Sequence, residues 1–194
     1  MPINDLITVV IPTISERSDL LQEAIASVNA QTTGAPSLVV ALDSDRIGPA
    51  KVRNSAVSQV VTPWVLFLDD DDILYPNYLE TVFNSPHIPT SDMVYTWCDQ
   101  VGFDAGLDRE FDPEVLRGGN YIPVTACVRT PLFRALGGFP TGVAYEDWGL
   151  WLKLLDCGAK ISLIPEKVWA YRRHAGSRTF ENQRAIAEGR IQQV

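Results

Sequence analysis

Three short apolar runs, each closed by polar residues, set what this chain can fold into. Residues 6–11 (LITVVI), 37–42 (SLVVAL) and 64–68 (WVLFL) are rich in β-branched and large apolar side chains and carry no charge. Runs of this length without polar alternation are the pattern of strands buried on both faces. The first run is expected to stop at Pro12. Between the runs, 18–30 places Leu20, Leu21, Ala24, Ile25 and Val28 at helical spacing, with Ser18 as its N-cap, and 50–60 reads as a second helix. Gly34 with Pro36, Gly48 with Pro49, and Thr62 with Pro63 punctuate the alternation. Strand, helix, strand, helix, strand over the first seventy residues predicts an α/β fold with a mostly parallel central sheet.

Open α/β sheets bind ligands at the carboxyl ends of their strands. Each of the three runs ends there in polar residues: Thr13 and Ser15, then Asp43 and Asp45, then Asp69, Asp70, Asp71 and Asp72. Four consecutive carboxylates repel one another, and a buried strand end is a costly place for them. A hard divalent cation such as Mg²⁺ or Mn²⁺ offsets that cost, because it takes oxygen ligands and supplies the missing positive charge. The competing reading is a solvated acidic turn in which Asp71 or Asp72 caps the next helix.

The rest of the chain continues as one domain, since 194 residues are enough for a single core and too few to expect two. A helix is expected over 76–83, a strand over 92–98, a loop-dominated Gly- and Asp-rich stretch over 103–119, a strand over 121–129 and a helix over 131–136 closed by Gly137 and Gly138. A helix over 146–157 carries Trp148, Trp151, Leu152 and Leu155, and two short strands follow over 159–164 and 168–172. The net charge of −8 excludes non-specific nucleic-acid binding, which needs a basic surface. Three cysteines at wide spacing, with no CxxC pair, suggest neither a zinc site nor a disulfide framework and fit a reducing cytosol. No run approaches the ~18 apolar residues of a membrane span, and no basic segment precedes the first run as in a signal peptide. The expectation is a cytoplasmic protein with no transmembrane segment and with any membrane association peripheral.

Six strings in order resemble family 2 (GT-A fold) glycosyltransferases and cover nearly the whole chain. FLDDDDILYPNYLE is similar to that family's FLDxDDxxxPxxLE region, and VVIPTISER to its opening VxIPTxNR. GPAKVRNSAV resembles its G…ARNxGI helix, LFRALGGFP its GGFdE segment, AYEDWGLWLKLL its EDxDLWLRL motif, and YRRHAGSRT its terminal YRxHxxS. Departures exist. ALDSDR stands where the family has a DDGS-like string, Ser15 replaces an asparagine, and FPTGVAYED leaves the loop before Glu146 without a counterpart.

The resemblance implies a GT-A-like (Rossmann-like) three-layer sandwich. Its nucleotide-binding half is 1–100, its acceptor and catalytic half 101–180, and 181–194 is a polar tail. It implies an enzyme that moves a sugar from a nucleoside-diphosphate-sugar donor to a hydroxyl acceptor with inversion. That acceptor is a glycan, a lipid carrier, a protein or a small molecule. Cleaving the sugar–phosphate bond leaves charge on a diphosphate, which a metal stabilises. Pro12, Thr13, Asp43, Arg53, Asp69 and Asp70 are implied at the nucleotide, Asp71 and His174 at a Mn²⁺ or Mg²⁺ ion, and Arg172 and Arg173 at the diphosphate. A sugar hydroxyl needs a base, which maps to Asp147, with Glu146 as the neighbouring candidate. Gly138 and Trp148 are candidates for contact with the donor sugar or the acceptor.

Bland readings stand beside these. Arg53 also suits a helix-surface salt bridge, Trp148 and Trp151 also suit core packing, and Glu146 and Asp147 also suit a helix N-terminus. A haloacid-dehalogenase-like phosphotransferase, which also places DxD after an apolar strand, and a non-catalytic nucleotide- or glycan-binding module are the alternative classes.

Overall fold

A computed structural model describes residues 1–102, 106–172, 186–189 and 191–194. The strands are β1 (Ile7–Thr13), β2 (Ser37–Leu42), β3 (Trp64–Phe67), β4 (Ile73–Leu74), β5 (Met93–Val101), β6 (Ala126–Arg129) and β7 (Ile161–Arg172). The helices are α1 (Ser18–Asn29), α2 (Pro49–Ala56), α3 (Tyr78–Phe83), α4 (Pro113–Gly118), α5 (Thr130–Ala135) and α6 (Glu146–Asp156). One seven-stranded sheet runs β2-β1-β3-β6-β5-β7-β4. β1 pairs in parallel with β2 and β3, β6 lies antiparallel to β3 and β5, β7 is parallel to β5, and β4 is antiparallel to β7. Five of the seven strands therefore point the same way, with β6 and β4 reversed, so the carboxyl ends of β1, β2, β3, β5 and β7 share one edge.

Period-two alternation divides the core between the two faces. Val10, Val65, Phe67, Met93, Tyr95, Ala126 and Val128 pack with Ala56 of α2, Phe133 of α5 and Leu150, Trp151 and Leu154 of α6. Their neighbours Val9, Ile11, Leu66, Leu68, Val94 and Cys127 pack with Ala24 and Val28 of α1 and with Tyr78, Leu79 and Val82 of α3. Every residue of β1 is buried, as expected of a strand covered on both faces.

Several expectations need correction. β1 does not stop at Pro12 but runs through it to Thr13. The amide of Leu68 bonds to the Val10 carbonyl, so even-numbered β1 residues face β3, and pairing with β3 ends at Val10. The N–H that Pro12 lacks would point past the end of that ladder, where it is not needed. Ser18 is the first residue of α1, not its cap; Arg17 occupies the cap position, and its side chain does not cap the helix. The stretch read as loop contains α4, capped by the Asp112 side chain, which accepts from the amides of Glu114 and Val115. The two strands expected over 159–164 and 168–172 are one strand, β7. Its register against β5 shifts between Thr96 and Trp97, where Pro165, Glu166 and Lys167 bulge into solvent.

Asn54 of α2 locks the loop after α5. Its side-chain amide donates to the Phe139 carbonyl at 2.8 Å and its carbonyl oxygen accepts from the Phe139 amide at 2.9 Å. Gly138 makes this possible: its φ is +68°, and a Cβ there would overlap Asn54 Oδ1 and sit 3.1 Å from Phe133 Cε1. Gly138→Ala is expected to destabilise the fold by roughly 1–3 kcal/mol, read as a lower urea midpoint. An unchanged midpoint would mean that the loop relaxes freely.

Candidate active site

The aspartate run turns tightly at the carboxyl edge. The Asp72 amide closes onto the Asp69 carbonyl at 3.1 Å, and the chain then passes to β4 at the far end of the strand order. Within this turn the four carboxylates take different partners. Asp70 is buried: one of its oxygens accepts from the Thr13 hydroxyl at 2.7 Å and the other pairs with Arg17 Nη1 at 2.8 Å. Asp70 and Thr13 thus tie the run to the end of β1, beside buried Pro12.

Asp69, Asp71 and Asp72 point together, each offering an oxygen, with those oxygens within 4.8 Å of one another. Asp69 also pairs with Arg53. Asp71 lies 3.2 Å from Arg17 Nη1, and its carbonyl accepts from Arg172 Nε. Asp72 is 1% exposed; its Oδ1 accepts from the Arg172 amide at 2.9 Å, while its buried Oδ2 has no partner among the described residues. Burial, reinforced by the charges of Asp69 and Asp71, holds the Asp72 carboxyl well above the usual carboxylate range. A buried oxygen without a donor, beside two further carboxylates, is the donor set a hard cation takes. These residues fit such an ion.

Arg53 projects from α2 into the space between the run and α6. It is 3% exposed, with Nη1 2.8 Å from Glu146 Oε1, Nη2 on Asp69 Oδ1, and its guanidinium 5.6 Å from the centre of the Phe139 ring. Burial alone would lower its pKa. The Asp69 and Glu146 carboxylates outweigh that and hold it above its ordinary value, so Arg53 stays charged. The helix-surface reading of Arg53 fails, because the group is interior and bridges two halves of the site.

Glu146 and Asp147 open α6, as the sequence indicates. Glu146 is committed to Arg53. Asp147 is partly buried; its Oδ1 accepts from the Trp148 amide at 2.8 Å and its Oδ2 from the Asn120 side-chain amide at 3.0 Å. Burial, and then the neighbouring Glu146 charge, push the Asp147 carboxyl up to about 6, against the lowering effects of the Trp148 N–H, Arg53 and Asn120. A carboxyl tuned to that range suits proton abstraction near neutrality.

The remaining expected site residues divide. Asp43 sits at the end of β2, where its two oxygens accept from the amides of Ile47 and Gly48 at 2.8 and 2.9 Å and shape the following turn. Trp148 is buried, with Nε1 donating to the Leu116 carbonyl at 2.6 Å, so its ring belongs to the core rather than to a sugar-stacking surface. Gly138 holds the turn described above. Arg172 reaches the run through its amide and Nε and reaches Glu23 through Nη1, while its buried Nη2 has no partner among the described residues. Arg173 and His174 lie outside the described residues. Sequence reading missed Arg17 and Asn120. For Asn120 the only signal was its place at the end of the Gly-rich stretch, and for Arg17 its place in the turn after β1.

Removing one partner of a buried ion pair leaves the others uncompensated. Arg53→Leu is expected to lower stability by about 3–5 kcal/mol, with partial recovery in Arg53→Leu/Glu146→Leu, measured by chemical denaturation. A single variant as stable as the parent would show that the bridge contributes nothing.

A family model described as glycosyl transferase family 2 matches residues 35–114. No curated protein matches the chain in sequence. Among solved structures, that of S. aureus TarS 1-349 is 22% identical over 94% of this chain, with a TM-score of 0.70. The same protein in complex with UDP-GlcNAc is 18% identical over 90%, with a TM-score of 0.70. The mannosyltransferase PcManGT from Pyrobaculum calidifontis, in complex with GDP-Man and Mn²⁺, is 18% identical over 96%, with a TM-score of 0.67. The chain spans less than two thirds of each, namely 64%, 60% and 65%. The segment similar to that family holds α2 with Arg53 and the whole aspartate run, and the chain as a whole shares the fold of these solved glycosyltransferases.

Proposed function

We propose that this domain is an inverting glycosyltransferase. It moves a sugar from a nucleoside-diphosphate donor to a hydroxyl acceptor, with Asp147 as general base and a divalent cation held by Asp69, Asp71 and Asp72. The observation that carries this reading is the Arg53 bridge, which sets a carboxyl tuned to about 6 beside the carboxylates that fit a metal. Support for the donor class comes from the UDP-GlcNAc complex of TarS and the GDP-Man and Mn²⁺ complex of the mannosyltransferase.

The roles follow from the chemistry. Asp147 takes the proton of the acceptor hydroxyl as that oxygen bonds the anomeric carbon. The electron pair of the breaking sugar–phosphate bond leaves with the diphosphate. Asn120 and the Trp148 amide hold the Asp147 carboxylate in place, and Arg53 keeps Glu146 from sharing that role. A Mn²⁺ or Mg²⁺ ion, when bound, supplies positive charge to the diphosphate as negative charge develops there. Arg172 adds a cation near the same carboxylates, and by resemblance Arg173 and His174 join it. Asp43 and the turn it organises form the wall suited to a nucleotide base. No helix among the described residues is long and apolar enough to cross a membrane; a cytoplasmic location belongs to this proposal.

A base must be deprotonated to act, so kcat/KM is expected to rise with pH through about 6 and level above it. Asn120 lowers the Asp147 pKa, so Asn120→Ala is expected to move that midpoint to higher pH. Asp147→Asn is expected to reduce turnover about 10³-fold with the fold intact. Full activity in a folded Asp147→Asn variant would remove Asp147 from the mechanism. For the cation, Asp72→Asn should raise the Mn²⁺ concentration needed for half-maximal activity, whereas Asp70→Asn should chiefly lower the melting temperature. A reaction indifferent to chelation would contradict the metal assignment. The decisive test is a thermal-shift series of nucleoside diphosphates with and without Mn²⁺. A metal-dependent rise for one base identifies the donor class, and no rise with any of them would overturn the proposal.

A further inference from the structure

Among the described residues the outer edge of β2 is open: β2 ends the strand order, with β1 as its one neighbour there. Its sequence is SLVVAL, with Val40 42% and Leu42 57% exposed. The Asp43 amide donates to the Thr13 carbonyl at 2.8 Å, so odd-numbered β2 residues face β1. Leu38, Val40 and Leu42 therefore direct their N–H and C=O groups away from the sheet. Edge strands in soluble proteins are guarded by charge, Pro, bulges or cover, because an open apolar edge templates further pairing. Among the described residues β2 has none of these between Ser37 and Leu42. The entire stretch from Ala24 to Leu42 holds no charged residue, in a chain of net charge −8.

We infer that this edge is a homodimer interface, in which β2 pairs antiparallel with β2 of a second copy about a two-fold axis at Val40. Three outward residues centred on Val40 make this register self-complementary. Val40 faces Val40 of the other copy, Leu38 faces Leu42, and Leu42 faces Leu38. All three are hydrogen-bonded pairs, giving six new backbone bonds and one continuous fourteen-stranded sheet. Charge permits this pairing. Two copies of an acidic chain repel across most of their surfaces, but not along an uncharged edge, and in this register the Asp43 turn of one copy lies beyond Ser37 of the other, against uncharged residues 33–36. The inference is independent of the catalytic proposal, since β2 contributes no outward group to the aspartate run.

The test is the mass of the intact chain in solution by analytical ultracentrifugation across a micromolar concentration series, together with two variants. The parent is expected at twice the chain mass. Val40→Lys, which places a like charge at the axis, is expected at the single chain mass with an unchanged circular dichroism spectrum. Hydrogen-bonded antiparallel pairs have Cα atoms about 5.5 Å apart, within disulfide reach. Val40→Cys, with exposed Cys157 replaced by Ser, should therefore cross-link to itself under mild oxidation, and Val39→Cys should not. A parent that stays monomeric throughout, a dimer that persists in Val40→Lys, or equal cross-linking at residues 39 and 40 would each overturn the interface, the first leaving the edge to a strand from another protein.

Discussion

The arrangement of this site depends on one buried cation. Arg53 sits on α2, yet its guanidinium joins Asp69, from the turn after β3, to Glu146, from the first turn of α6. Those two acidic segments are far apart in sequence, and without a positive charge between them they would repel across a poorly solvated gap. A desolvated ion pair rarely adds much net stability over an apolar substitute. What it adds is geometry: the fork of a guanidinium sets two carboxylates at fixed positions. The consequence reaches Asp147. With Glu146 held by Arg53, its neighbour is left with neutral donors alone, Asn120 and the Trp148 amide, and burial can raise its pKa toward neutrality.

The same logic orders the aspartate run. Arg17 and Thr13 absorb Asp70, the Arg172 amide fixes Asp72, and Arg53 holds Asp69. Three arginines from separate segments thus converge on one turn in a chain whose overall charge is strongly negative. Even so, Asp72 keeps an unsatisfied buried oxygen and a raised pKa. Four carboxylates against three guanidiniums leave the turn short of positive charge, which a cation would supply. That shortfall, more than the count of carboxylates, is what distinguishes this turn from a solvated acidic loop.

The alternation of apolar runs and helical spacing made the first half of the fold legible, because strands buried on both faces have a pattern few other elements share. β4 was not legible, since two residues carry no period. β7 read as two strands because its exposed Pro165–Lys167 bulge looks like a break in sequence and is only a register shift in the sheet. In the site, the place of the aspartate run after β3 and of Glu146–Asp147 at the start of α6 was legible from the sequence. The division of labour within DDDD was not, because four identical neighbours differ only in where a turn points them. Asp70 faces Thr13 and Arg17, while Asp72 carries the unsatisfied oxygen. Arg53 showed the limit from the other side: its motif was visible, but its burial depended on Asp69 and Glu146 arriving from elsewhere in the chain.

The open edge and the site occupy one strand without competing for it. In β2, odd-numbered residues bond to β1 and hold the carboxyl end in place for Asp43 and its turn, while even-numbered residues face outward. Antiparallel pairing of two such edges sends the carboxyl ends of the two sheets in opposite directions. Each aspartate run then opens to its own side of the combined sheet, and neither blocks the approach of an acceptor to the other. A head-to-tail pairing of β2 with β4, the opposite edge of the next copy, would leave a further β2 open and propagate. The two-fold arrangement closes after two copies. The strand period of two therefore lets one short apolar segment, free of charge, hold the Asp43 turn in the sheet on one side and offer a pairing edge on the other.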